Sequence, residues 1–208
     1  MGKKITEGKV TQLLNWAYDK ALAGLPGTPT SEELGDDYLN GASTKNEAID
    51  SPIKWQATKC ATSGFVSGLG GLITLPIAVP ADLAVNYYVN IRMVAAIAHI
   101  RGYNLRDDRV RTMVYLCLLG EGITEALSKF GFAVGTKLTE KMIEKIPGEI
   151  FIQINKFVAF RLATKAGQKG MVNLFKLAPI VGGLVGGGVD AAGCLAIGKI
   201  AKKSLKAA

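Results

Sequence analysis

Histidine and cysteine are scarce in this chain, one and three among 208 residues, and its 17 carboxylates must carry most of any acid–base or metal chemistry. A metal site needs several ligands held together. His99 stands late in an apolar stretch with no HxxxH or ExxH partner. Glu121 and Glu125 share a helical face, but a two-carboxylate site in a helix bundle also uses histidines. The spacing predicts no metal site, and His99 reads as a structural or solvent-facing side chain. Cys60, Cys117 and Cys194 form no CxxC pair and lie in apolar surroundings, which predicts buried, reduced thiols. Gly64-Phe65-Val66-Ser67-Gly68 is not a nucleophile elbow, and any Ser–His–Asp set would have to use His99. The glycine runs at 68–71 and 182–188 lack the Lys-Ser/Thr of a phosphate loop and the strand that precedes a dinucleotide turn. The expectation is a protein that is not an enzyme, with no catalytic residues and no cofactor.

Two carboxylates stand apart. From Cys60 to Ile91 the only formal charge is Asp82, bounded by Lys59 and Arg92. From Leu177 to Gly198 it is Asp190, bounded by Lys176 and Lys199. An unpaired buried carboxylate is costly, so each should find a cation or stay protonated. Arg92 and Arg161 are the suitable partners, which predicts a buried polar network of Asp82, Arg92, Arg161 and Asp190. Its role is structural, or that of a polar pathway or ligand contact inside a membrane or cavity. Small residues recur in the same stretches. Ala57, Ala61, Gly64 and Gly68 follow one another at helical steps, and Gly182 and Gly186 repeat the spacing. Such a stripe lets another helix backbone approach closely, so Gly64, Gly68, Gly182 and Gly186 are the expected packing glycines.

Length alone would let Leu177–Gly198 span a bilayer, since its residues reach roughly 33 Å as a helix. The energy does not favour it. Its strong aliphatics supply roughly −2.5 to −5 kcal/mol, one central aspartate returns about +2.5 to +3.5, and the glycines add little. The first stretch carries Pro76 and Pro80 and has the same defect. Close-packed, glycine-rich helical hairpins are the expected form, with the two stretches as packing partners.

The elements that must position these residues read as helices. Val10, Leu13, Leu14, Ala17, Tyr18, Ala21 and Leu22 mark an amphipathic helix over Thr6–Ala23, stopped by Leu25-Pro26-Gly27. Thr30-Ser31-Glu32-Glu33 has capping-box spacing, as does Thr44-Lys45-Asn46-Glu47. Ser51-Pro52 fits the start of a further helix. Pro80 begins a long apolar helix that Gly102 ends, with Asp82, Asn86 and Asn90 in line. Asp107 and Asp108 favour the next helix start, Gly120 and Gly122 interrupt that helix, and helices follow over Thr136–Ile146, Glu149–Ala166 and Pro179–Ala201. No alternating strand pattern of useful length occurs. The fold expected is all-α: a compact bundle of about seven to nine helices, with residues 1–52 as an amphipathic helix plus acidic appendage and 53–208 as the main helical domain.

The net charge of +8 is unevenly spread. Between Thr28 and Pro52, Glu32, Glu33, Asp36, Asp37, Glu47 and Asp50 face Lys45 alone, a net of −5 that leaves +13 on the remainder. A basic body seeks anionic partners. Lys199, Lys202, Lys203 and Lys206 form a basic tail and are the expected contacts to an anionic surface. Nucleic acid is not the expected partner, because no nucleic-acid motif is present and the basic residues alternate with aliphatics. The acidic segment could shield the basic body within the same chain. Met1-Gly2-Lys3-Lys4 is basic but lacks the apolar core of a secretory signal.

Ser63-Gly64-Phe65 with Gly68-Leu69-Gly70-Gly71, then Leu75-Pro76-Ile77-Ala78-Val79-Pro80-Ala81-Asp82-Leu83, Arg92-Met93-Val94-Ala95-Ala96-Ile97-Ala98 and Gly102-Tyr103, resemble the EcsC protein family. So do Arg161-Leu162, Thr164-Lys165, Gly167, Lys169-Gly170, Pro179-Ile180-Val181-Gly182-Gly183, Gly187, Asp190-Ala191, Ile197-Gly198 and Ala201-Lys202. The resemblance covers about three quarters of the chain; the part before Ser51 lies outside it. It implies a bacterial intracellular protein near a membrane, in a family named for a protein encoded beside an ABC-type transporter, and it carries over no catalytic residue. The functional expectation is a peripheral protein on the inner face of the cytoplasmic membrane, accessory to a transporter or other membrane process. An anionic membrane surface and a membrane-protein partner are the expected contacts. A pore-forming or inserting protein and a carrier of lipid or apolar ligands are the alternatives.

Overall fold

Local chemistry at the helix ends sets the frame of the protein, seen here in a computed structural model that describes residues 5–61, 79–132, 144, 146–169 and 188–206. The side chains of 59–61, 82, 121, 165–169 and 188–190 are outside that description. Thr6 caps α1 (Glu7–Ala23) through its hydroxyl, which accepts from the Lys9 N–H. Thr30 closes a full capping box on α2 (Ser31–Asn40): its Oγ1 accepts from the Glu33 N–H at 3.1 Å, and the Glu33 carboxylate accepts from the Thr30 N–H at 2.8 Å. Two orphan donors of the first turn are thereby satisfied.

The third helix differs from the sequence expectation. α3 runs unbroken over Lys45–Ala61 with Pro52 inside it, rather than restarting at Ser51-Pro52. The proline removes one backbone hydrogen bond. Packing offsets it: Ala48, Ile49, Ile53 and Ala57 bury one face of the helix across the proline. Its cap is also half of the expected box. The Thr44 hydroxyl accepts from the Glu47 N–H, but the Glu47 carboxylate reaches back to the Ser43 N–H.

The centre is α4 (Ala81–Arg101). A helix apolar on all sides must be buried on all sides, and from Leu83 to Ala98 nearly every side chain is. Gly102 ends it in a left-handed conformation (φ 96°), its N–H donating to the Ala98 and His99 carbonyls. That geometry suits glycine. Around α4 lie α1, α2 and α3 on the N-terminal side, then α5 (Asp108–Cys117), a 3₁₀ turn over Gly120–Gly122, α6 (Ile123–Lys129), α7 (Gly148–Lys169) and α8 (Gly188–Ser204). The protein is all-α, with eight α-helices among the described residues.

Residues 5–52 are part of this core rather than an appendage to it. α1 packs on α4 and α7, and α2 packs on α4. Tyr18 of α1 is fully buried, donates to the Leu105 carbonyl at 2.9 Å and meets the Tyr115 ring edge-on. Two contacts between helices are close enough to require glycine among the described residues. A Cβ on Gly35 of α2 would fall 2.7 Å from His99 Cδ2 on α4, and one on Gly198 of α8 would fall 2.8 and 2.9 Å from the two Cγ atoms of Ile53 on α3. The α3–α8 contact is the most extensive among the described helices, and α8 also packs on α4. The expected packing glycines Gly64, Gly68, Gly182 and Gly186, and the helix over Thr136–Ile146 save its final residues, lie outside the described residues.

Candidate functional site: a basic groove

α8 carries its lysines on one strip. Lys199, Lys202 and Lys203 stand three and four positions apart, which brings them to one side of the helix, and Lys206 follows just beyond its last residue, Ser204. The close approach at Gly198 presses that side onto α3, where Asn46 and Asp50, four residues apart, share a face. Arg101, the last residue of α4, completes the wall. Together these seven residues line an open groove of ≈ 550 Å³. Five cations and one carboxylate face it.

The groove contains one ion pair. Lys202 Nζ donates to Asp50 Oδ1 at 2.6 Å, with both side chains partly exposed. Lys199, Lys203 and Lys206 form no ion pair among the described residues. Arg101 donates from Nη2 to Asn46 Oδ1 at 3.4 Å, the long end of a hydrogen bond. Its Nε is buried and has no acceptor. The last-turn lysines Lys202 and Lys203 also complement the negative end of the α8 dipole. The structure thus brings all four tail lysines to one place and adds Arg101, Asn46 and Asp50. The sequence places those three in other segments, and only the α3–α8 packing unites them. Helical spacing could have paired Asn46 with Asp50, but not with α8.

The acidic segment lies along the basic body at three points. Glu32 accepts from Arg106 at 2.7 Å, Asp36 meets His99 Nε2 at 2.7 Å, and Asp50 meets Lys202. His99 is therefore tied to α2. Among the described residues, no group of three or more His, Cys, Asp or Glu side chains is arranged to hold a metal ion.

Of the expected network of Asp82, Arg92, Arg161 and Asp190, only the two arginine side chains fall within the described residues. Arg92 is buried, and its Nε donates to the Pro29 carbonyl at 3.0 Å. Burial pulls its pKa below the usual guanidinium range, partly offset by Tyr88 and Tyr38. Arg161 is partly exposed, pairs with Glu125 at 2.6 Å and lies over the Phe157 ring. Among the described residues their acceptors are a carbonyl at the α2 entry and a carboxylate on α6. The side chains of Asp82 and Asp190 lie outside the described residues. In line with Asp82, Asn90 Nδ2 donates to the Asn86 carbonyl and Oδ1, at 2.9 and 3.1 Å.

The cysteines do not all follow the expectation of reduced thiols. Cys117 is a free thiol, fully buried, and burial pushes its pKa up to about 12. Cys194 is disulfide-bonded. Among the described residues α4 is the one helix long and apolar enough to cross a membrane, and 89% of its Leu83–Arg101 window is buried inside the protein. Comparison with family models, curated proteins and solved structures finds no match for the chain.

Proposed function

We propose that this is a non-enzymatic, peripheral membrane-associated helical protein of the EcsC type that docks through the basic groove on an anionic membrane surface. The observation that carries the reading is the convergence of Arg101, Lys199, Lys202, Lys203 and Lys206 on one groove opposed only by Asp50. Each lysine or arginine held near an anionic bilayer contributes about 1 kcal/mol, falling off within a Debye length. The burial of α4 supports docking over insertion, because its apolar surface is already covered by protein. The motif resemblance at Gly68–Leu83 and Pro179–Lys202 supports the family and the cytoplasmic face of the membrane. A role beside a transporter belongs to the same proposal.

Flotation of the full chain with anionic and with neutral vesicles across a salt series is the test. Binding to anionic vesicles alone, reversed by salt, is expected. Absence of binding to any vesicle overturns the proposal, and salt- and carbonate-resistant binding replaces it with insertion.

A further inference from the structure

The groove already holds one anion, and that anion belongs to the protein. We infer that the groove is a discrete site for a phosphomonoester, and that Asp50 competes with this ligand for Lys202. The inference deepens the membrane-docking reading and rests on the same groove.

Four observations point to a built site rather than a diffuse basic face. The Asp50 carboxylate, 2.6 Å from Lys202 Nζ, marks where an anionic oxygen is accepted. Arg101 stands at the wall with its Nη2 on a long bond to Asn46 and its buried Nε without an acceptor, so the guanidinium is only partly satisfied. Lys199, Lys203 and Lys206 are unpaired among the described residues and flank the same space. Together these side chains bound one open groove of ≈ 550 Å³.

Charge selects the ligand class. A carboxylate or a phosphodiester brings one negative charge, as Asp50 does, and gains little by replacing it. A phosphomonoester carries about −1.5 to −2 at neutral pH and has three acceptor oxygens. It can engage Lys202, a second lysine and the Arg101 guanidinium together, which the short Asp50 side chain does not. Guanidinium suits such planar, multiple recognition of phosphate. The source of the phosphomonoester is either a lipid headgroup or a small soluble ester, and the chemistry of recognition is shared.

The experiment uses the full chain and two exposed-site variants, Asp50→Asn and Lys202→Gln. Vesicles carry either phosphatidic acid, a phosphomonoester, or phosphatidylglycerol, a phosphodiester, matched in surface charge. Soluble glycerol 3-phosphate is titrated separately by calorimetry. Phosphatidic acid is expected to bind several-fold more tightly than matched phosphatidylglycerol. Asp50→Asn should strengthen monoester binding by about threefold to tenfold, as expected for removing a partly exposed competing carboxylate. Lys202→Gln should abolish that gain. Binding of glycerol 3-phosphate with the same Asp50 dependence supports the site and identifies a soluble ester as sufficient. Monoester dependence on vesicles alone supports the site and identifies the lipid. Equal affinity for the two lipids, or an equal Asp50→Asn gain on both, overturns the discrete site while leaving membrane docking intact. Glycerol 3-phosphate binding without any vesicle binding overturns docking and leaves the site standing. No binding to any probe overturns both.

Discussion

Lys202 and Asp50, 152 positions apart in sequence, meet at 2.6 Å one helical turn from the place where Gly198 lets α8 settle onto Ile53 of α3. The two contacts share a face on both helices: Gly198 and Lys202 are four residues apart on α8, Asp50 and Ile53 three apart on α3. The steric fit brings the backbones together, and the ion pair and the groove follow from that approach.

Gly198→Ala is therefore expected to destabilise the protein. An added Cβ meets the branched Ile53 side chain at 2.8 and 2.9 Å, an overpacking of the kind that costs about 1–3 kcal/mol. Replacing a helical glycine by alanine returns about 1 kcal/mol. The net is a loss of about 1 kcal/mol, which lowers Tm by roughly 2–4 °C in a protein of this size. In an Ile53→Ala background the clash is gone, and Gly198→Ala should become stabilising. A double-mutant cycle by thermal unfolding reads this sign change directly. A more stable Gly198→Ala in the otherwise unaltered protein would refute the fit.

Charge removal at the groove should separate binding from stability. Lys199, Lys203 and Lys206 form no ion pair among the described residues, so converting all three to glutamine should change folding stability by no more than about 0.5 kcal/mol for each exposed site. The same change should weaken binding to anionic vesicles by roughly two orders of magnitude, at about 1 kcal/mol per lysine. Flotation at fixed salt and a melting curve check the two halves. Unaltered vesicle binding would remove the groove from any docking role.

How much of this was legible in the sequence follows the range of the interactions involved. Caps and stops are local, so Thr6, Thr30 and Gly102 announce their helix ends without knowledge of the fold. Lys199, Lys202 and Lys203 are legible for the same reason, being periodic on α8, with Lys206 just past its end. Pro52 is not, because the packing of Ile49 and Ile53 decides that α3 continues through it. Arg161 finds Glu125 36 positions away, and Arg92 finds the Pro29 carbonyl 63 positions away. Such partners depend on which helices adjoin, which periodicity does not reveal. Arg101, Asn46 and Asp50 join the groove only through tertiary packing. Cys194 is disulfide-bonded, whereas an apolar context alone reads as a reduced thiol.

Cys117 should behave as a packed side chain and not as a reactive thiol. It is fully buried and its pKa is pushed up to about 12, so at pH 8 only about one thiol in ten thousand would be the nucleophilic thiolate. Labelling of the native protein, followed by peptide mass mapping, should leave the Cys117 peptide unmodified. Labelling in denaturant should modify it fully. Fast native labelling at Cys117 would contradict the packing of α5.

Alkaline pH should unfold the protein through its buried thiol and phenols. Burial raises the pKa of Cys117 to about 12, and it raises those of Tyr18, Tyr115 and Tyr87 as well. The direction follows from proton counting. In the unfolded chain the thiol loses its proton near pH 8.5 and the phenols near about pH 10, while the folded protein keeps them. The unfolded state then binds fewer protons, so stability falls as pH rises, by up to about 1.4 kcal/mol per pH unit for each such group. Stability contributed by the neutral forms is fully present below about pH 8.5 and declines above it, first through Cys117 and then through the tyrosines. Denaturant unfolding from pH 7 to pH 11 should show an onset near about pH 8.5. Cys117→Ala should move that onset to about pH 10. Tyr18→Phe should flatten the later decline and lower stability at pH 7 by about 1 kcal/mol, because the Leu105 carbonyl loses its donor. A stability unchanged from pH 7 to pH 11 would show that these groups titrate alike in both states, and that the junction of Tyr18 with Tyr115 is open to water.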